Sequence, residues 1–119
     1  MKHILATVFV CVLLVTSACS RFDESVAAYE GGNYTAALWE WQRLAKAGYS
    51  PALYNLGVMY YEGKGVPQDT VQAYMWFNLA AGQGYEYALD SRQLVADEMT
   101  AAQFVEAQRR TREWWLLSR

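Results

Sequence analysis

Histidine and cysteine are almost missing from this chain of 119 residues. The single histidine is His3, and the two cysteines are Cys11 and Cys19. Everything beyond Cys19 therefore lacks the side chains for Ser–His or Cys–His catalysis, for a histidine-ligated metal and for a disulfide. No Walker-type phosphate loop is present: Gly63-Lys64-Gly65 is a turn carrying a lysine, not a nucleotide cradle. No apolar run reaches the roughly 20 residues that a membrane-spanning helix needs. Charge is sparse and balanced, 12 acidic against 10 basic side chains, without the basic excess that a nucleic-acid partner requires. No segment alternates with the period of two expected of a strand. Asp97 and Glu98 are adjacent, so on a helix they point in different directions and do not form a ready acid–base pair. The chain is accordingly expected to be no enzyme, with no catalytic residue, no metal ligand and no cofactor.

The amino-terminal stretch MKHILATVFVCVLLVTSACS is built differently from the rest. Lys2 supplies a positive start, an apolar run follows from Ile4 to Val15, and small residues end at Ala18. This is the layout of a cleaved signal peptide spanning residues 1–18, with cleavage between Ala18 and Cys19. Ser17-Ala18-Cys19 also resembles the lipobox of bacterial lipoproteins, although Thr16 stands where that family has Leu. The resemblance implies lipidation of Cys19, a membrane contact through the acylated residue, and a location in the bacterial envelope facing the periplasm. Ser20 after the cysteine points to the outer membrane in preference to the inner. The alternative is ordinary cleavage near Ala18, releasing a soluble periplasmic or secreted protein. Residues 19–24 read as a short membrane-proximal tether.

What the remainder does have is an internal repeat. Ala37, Ala45, Gly48, Tyr49, Ala52 and Leu53 recur 36 positions later as Ala73, Ala81, Gly84, Tyr85, Ala88 and Leu89. Trp41 meets Phe77 in the same alignment. A period in the thirties marks a stacked helical array, in which each unit buries its apolar face only against the next.

Helix signals divide residues 25–119 into a degenerate unit at about 25–50, a repeat at 51–86 and a capping pair at 87–119. The first helix is expected from Asp23 to Glu30, ending at Gly31-Gly32. A second runs from Tyr34 to Ala47 with Asn33 as cap and Gly48 at its end. Ser50 is expected to cap a third that has Pro51 in its first turn. Asp69 caps a fourth over Thr70 to Ala81. A fifth spans Glu86 to Asp97, and Thr100-Ala-Ala-Gln103 opens a sixth with a capping box. In the fourth helix Ala73, Trp76, Phe77, Ala80 and Ala81 form one apolar stripe, and Val71, Met75 and Leu79 a second. A helix apolar on two faces is covered from two sides.

Two segments carry a close resemblance to the Sel-one-like repeat family, relatives of the tetratricopeptide repeats. The first is Ala52-Leu-Tyr-Asn-Leu-Gly-Val-Met-Tyr-Tyr-Glu-Gly-Lys-Gly-Val-Pro-Gln-Asp69, and the second Gln72-Ala-Tyr-Met-Trp-Phe-Asn-Leu-Ala-Ala-Gly-Gln-Gly84. The matching repeat positions are Ala52, Leu56, Gly57, Tyr60, Gly63, Gly65, Asp69, Ala73, Trp76, Ala80, Ala81 and Gly84. The resemblance implies an all-α, right-handed solenoid of about three antiparallel helix pairs. It further implies a non-enzymatic adaptor binding a protein or peptide. One branch of the family has been linked to β-lactams, but it carries paired cysteines that this chain lacks.

Trp41, Trp76 and Phe77 sit on the stripes and are expected in the core. Trp39, Tyr54, Tyr61 and Tyr74 fall off them and are the candidates for lining a binding groove. Arg109, Arg110 and Arg112 are expected as a solvated basic face, with an anionic lipid or acidic partner as the sharper alternative. Trp114, Trp115, Leu116 and Leu117 cannot all face one way on a helix, so part of them is expected to seal the stack and the rest to form a contact, such as a homodimer. Two other functions remain open on the sequence: an envelope hydrolase or cell-wall-binding protein using carboxylates, and a structural membrane-proximal spacer.

Overall fold

The computed structural model describes residues 19–118, and the expected signal peptide with its cleavage position at Ala18 lies outside them. Among the described residues the chain is helical throughout, with no strand. Helix α1 occupies residues 19–30. It is followed by α2 (Tyr34–Lys46), α3 (Ser50–Glu62), α4 (Thr70–Gly82), α5 (Tyr87–Glu98) and α6 (Ala101–Leu117).

The helix starts follow from local hydrogen-bond chemistry. Asn33 accepts the Ala36 N–H and Asp69 accepts the Gln72 N–H, so the two caps lie one repeat apart and do the same work. Thr100 and Gln103 close a reciprocal capping box at α6. Two starts differ from the sequence reading. Ser50 is the first helical residue rather than the cap; Tyr49 caps α3 with its backbone carbonyl, which accepts from Ala52 and Leu53. Residues 19–24 are helical, because Phe22 packs edge-on against Tyr49 and anchors the first turn.

The 36-residue echo is a repeated turn. Gly48 and Gly84 adopt φ of 81° and 83°, a region that suits only glycine, and each donates back to the helix it ends. Tyr49 N–H then bonds Leu44 and Tyr85 N–H bonds Ala80, so both chains reverse identically. Ala37, Ala45, Ala52, Ala73 and Ala88 are all fully buried at the close approaches. Leu53 is 1% exposed, whereas its echo Leu89 is 51% exposed.

Helix α4 is the centre of the stack, packed by α3, α5 and α6. Its run from Ala73 to Phe77 is buried without a break, together with Leu79 and Ala80, as its two apolar stripes require. Gly57 on α3 lets the Phe77 ring lie against the backbone: a Cβ there would sit 2.5 Å from two ring carbons. Gly65 does the same for the loop, where a Cβ would meet that of Tyr34 at 2.5 Å. Trp41 and Leu44 of α2 join Leu53, Leu56 and Met59 of α3 in one core cluster, and Tyr74, Phe77, Val95 and Ala107 form a second across α4, α5 and α6.

Candidate functional site

Helices α5 and α6 both lean on α4 and leave a cleft between them of about 450 Å³. Its floor is Tyr74 and Asn78 of α4, and its walls carry Arg92, Gln93 and Ala96 from α5 with Phe104 and Gln108 from α6. The polar groups along it are already ordered. Arg92 donates to Asn78 Oδ1 at 2.9 Å, and Asn78 Nδ2 donates to Thr111 Oγ1 at 3.5 Å. Gln108 Nε2 donates to the Tyr74 hydroxyl at 3.4 Å, while Phe104 meets the Tyr74 ring edge-on. Burial pushes the Tyr74 hydroxyl above its ordinary pKa, partly offset by the Arg92 charge. The recess thus combines an aromatic floor, three side-chain amides and one guanidinium.

The four aromatics proposed from sequence do not share one groove. Tyr74 is only 4% exposed and serves as the floor of the α5–α6 cleft. Tyr54 is packed between Phe77 and Tyr85, with ring centroids at 5.4 and 5.1 Å, and belongs to the core margin. Tyr61 lies at the far end of α3 and donates its hydroxyl to Glu98 Oε1 at 2.8 Å. That bond holds its pKa above the ordinary phenol range. Trp39 stands alone on the outer face of α2, 73% exposed. The residues missed from sequence are Asn78, Arg92, Gln93, Phe104 and Gln108; α5 and α6 are largely polar and exposed, so no local signal sets these positions apart.

The expected basic face is largely neutralised. Arg109 pairs with Glu106 at 2.7 Å and with Glu113, and Arg110 bonds Glu106 at 2.8 Å. The two guanidiniums hold the Glu106 carboxyl down at about 2. Asp97 accepts from Gln93, and Glu98 is taken by Tyr61, so the adjacent carboxylates serve separate structural bonds. Among the described residues no group of three or more His, Cys, Asp or Glu side chains gathers as a metal site. No described helix is long and apolar enough to cross a membrane.

At the other end of the molecule from Glu98, Cys19 is exposed and its thiol lies beside the Tyr49 hydroxyl. Trp114 packs edge-on against Trp76 at 5.6 Å and so seals the stack, as part of the terminal cluster was expected to do. Trp115, Leu116 and Leu117 remain exposed, Leu117 by 88%.

Residues 50–85 match the family model of the Sel1 repeat. The matched segment is α3, its G-x-G loop, α4 and the following turn, which is one complete helix pair of the stack. The match supports the resemblance carried by Gly57, Gly63, Gly65, Asp69 and Trp76. Repeats of this kind generally mediate protein–protein interaction. No curated protein matches the chain.

Proposed function

We propose that this chain is a non-enzymatic adaptor of the bacterial envelope, anchored through an acylated Cys19, that holds a protein or peptide segment on its helix stack. The observation that carries the reading is the repeated turn at Gly48 and Gly84 around a segment matching the Sel1 repeat. A stack of this kind offers a rigid surface at low cost in ordering, and the α5–α6 cleft is a recess on it with both aromatic and polar lining. The right-handed superhelix and the periplasmic, outer-membrane location belong to this reading, and the lipobox-like Ser17-Ala18-Cys19 supports the anchor.

Three experiments test it. A photoreactive residue placed at Gln93, on the rim of the cleft, should crosslink to a discrete envelope protein, and Arg92→Ala should abolish the adduct without changing helicity. Crosslinking that is diffuse, or indifferent to Arg92, removes the cleft as the partner site. The intact mass of protein from the native membrane fraction should fit a chain beginning at Cys19 with acyl groups added, and Cys19→Ala should lose them. Turnover of an ester, amide or β-lactam by purified protein, abolished by one carboxylate substitution, would overturn the adaptor reading.

A further inference from the structure

The six helices alternate in direction, so the turns gather at two ends of very different chemistry. One end holds Cys19, the α2–α3 turn, the α4–α5 turn and the last turn of α6. Its proximity relations are direct: the Cys19 thiol lies beside Tyr49, and Phe22 meets the same ring at 5.2 Å. Lys46 shares a cleft with Trp114 and Leu117, and Gly82 and Gln83 share another with Arg112 and Trp115. The opposite end holds the α1–α2 turn, the G-x-G loop and the α5–α6 turn, tied by Tyr29–Glu62 and Tyr61–Glu98.

The ends differ in charge and polarity. The far end exposes Glu30, Glu62, Asp97 and Glu98, and its lysine, Lys64, is paired with Glu62 at 3.1 Å. The Cys19 end exposes Trp115, Leu116 and Leu117 together with the cations Arg21, Lys46 and Arg112; its exposed carboxylates are Asp23, Glu86, Asp90 and Glu113, the last paired with Arg109. Helix α1 begins no later than Cys19, so no flexible length separates that residue from the folded body. The undescribed residues, with their apolar run Ile4 to Val15, join the body at this same end.

We propose that the Cys19 end is a bilayer-docking surface. Trp115, Leu116 and Leu117 enter the headgroup boundary of an anionic membrane beside the anchor, and Lys46 and Arg112 meet lipid phosphates. Tryptophan favours that boundary because its ring is apolar and its N–H is polar, and leucines add apolar area beneath it. Lys46 and Arg112 each add a modest attraction near an anionic surface, offset in part by Glu86 and Asp90, whereas the far end has Lys64 alone against four exposed carboxylates and is repelled from it. The stack therefore stands with its helix axes close to the membrane normal and offers the α5–α6 cleft sideways. This inference rests on the anchor at Cys19 proposed above and adds a second, independent hold.

The test uses the full chain, reconstituted into phosphatidylethanolamine–phosphatidylglycerol vesicles carrying lipids brominated near the headgroup. All five tryptophans lie at or beyond Trp39, so residues 1–18 contribute no indole emission. Brominated lipid should quench the emission, and Trp115→Phe should remove more than half of the quenched part. Leu116→Ser with Leu117→Ser should lower quenching at least twofold at unchanged far-ultraviolet circular dichroism, and Trp39→Phe should leave it as it was. Absent quenching, or quenching that survives Trp115→Phe and vanishes with Trp39→Phe, overturns the proposal. So does a dimer without lipid in which Trp115 is already shielded, which assigns the face to a second copy. The intact mass separates this from the anchor reading: acylated protein without quenching keeps the anchor and loses the docking surface. Protein without acyl groups loses the anchor, and its quenching on added vesicles still decides the surface.

Discussion

Trp41 of α2 donates its indole N–H to Ser25 Oγ of α1 across 2.8 Å, and Ser25 in turn donates to the Phe22 carbonyl. Both side chains are buried, so this short relay joins the Phe22 and Tyr29 ring contacts in holding α1 on the stack. Ser25→Ala should destabilise the fold by about 1–3 kcal/mol, because it strands a buried donor. Trp76 provides the internal comparison: its Nε1 is buried without a hydrogen-bond partner among the described residues. Trp76→Phe should then cost only packing, and adding Ser25→Ala to Trp41→Phe should cost less than the two separately. Urea unfolding of the four variants checks this.

Gly57 sits inside α3, where alanine would ordinarily favour the helix by about 0.8–1 kcal/mol. The Phe77 ring reverses that preference, since its edge occupies the place of the missing methyl. Gly57→Ala should destabilise by about 1–3 kcal/mol through overpacking. In a Phe77→Leu background the same change should cost less or turn favourable. Equal costs in both backgrounds, measured by thermal unfolding, would show that the ring is not the obstacle.

The Tyr29 hydroxyl donates to Glu62 at 3.0 Å, and burial first, then that bond and the Glu62 charge, push its pKa up to about 12. A raised pKa means the folded state holds the proton more tightly. The associated stability is complete below the ordinary phenol value near 10 and is lost as pH rises from there through about 12. Tyr29→Phe should flatten the fall in stability across that window while leaving the response below pH 9 unchanged. Denaturant midpoints taken at intervals between pH 8 and 12 provide the reading.

Leu53 and Leu89 occupy the same repeat position with opposite burial. Leu53→Ala should cost about 2–5 kcal/mol, and Leu89→Ala no more than about 0.5. A large loss at Leu89 would mean that something covers α5 in the working protein, and hydrogen exchange along α5 would locate it.

The helix boundaries were legible wherever a side chain states its own hydrogen bond. Asn33, Asp69 and the Thr100–Gln103 pair each act within three residues, so sequence alone places them. The start of α1 was not legible, because Phe22 and Ser25 find their partners at Tyr49 and Trp41, far along the chain. Tyr74 lies off the main stripe of α4, yet α6 crosses over it and buries it; that crossing is a long-range packing choice without a local signal. The pairing of Arg109 and Arg110 with Glu106 was legible in principle, since three- and four-residue spacing places such charges side by side on a helix. The cleft is made by the divergence of α5 from α6 and appears only in three dimensions.

The matching turns at Gly48–Tyr49 and Gly84–Tyr85 have a consequence for how such a chain can lengthen. Their φ angles agree within a few degrees and their backbone bonds run to equivalent carbonyls, so the two junctions are interchangeable splice points. A cassette of residues 49–84 duplicated after Gly84 would meet the same geometry at both of its seams. Its first helix would take the place of α5, and the original α5 and α6 would move outward to close the copied α4. Elongation by whole cassettes would thus leave every existing seam intact, and each added copy would extend the lateral surface by one helix pair.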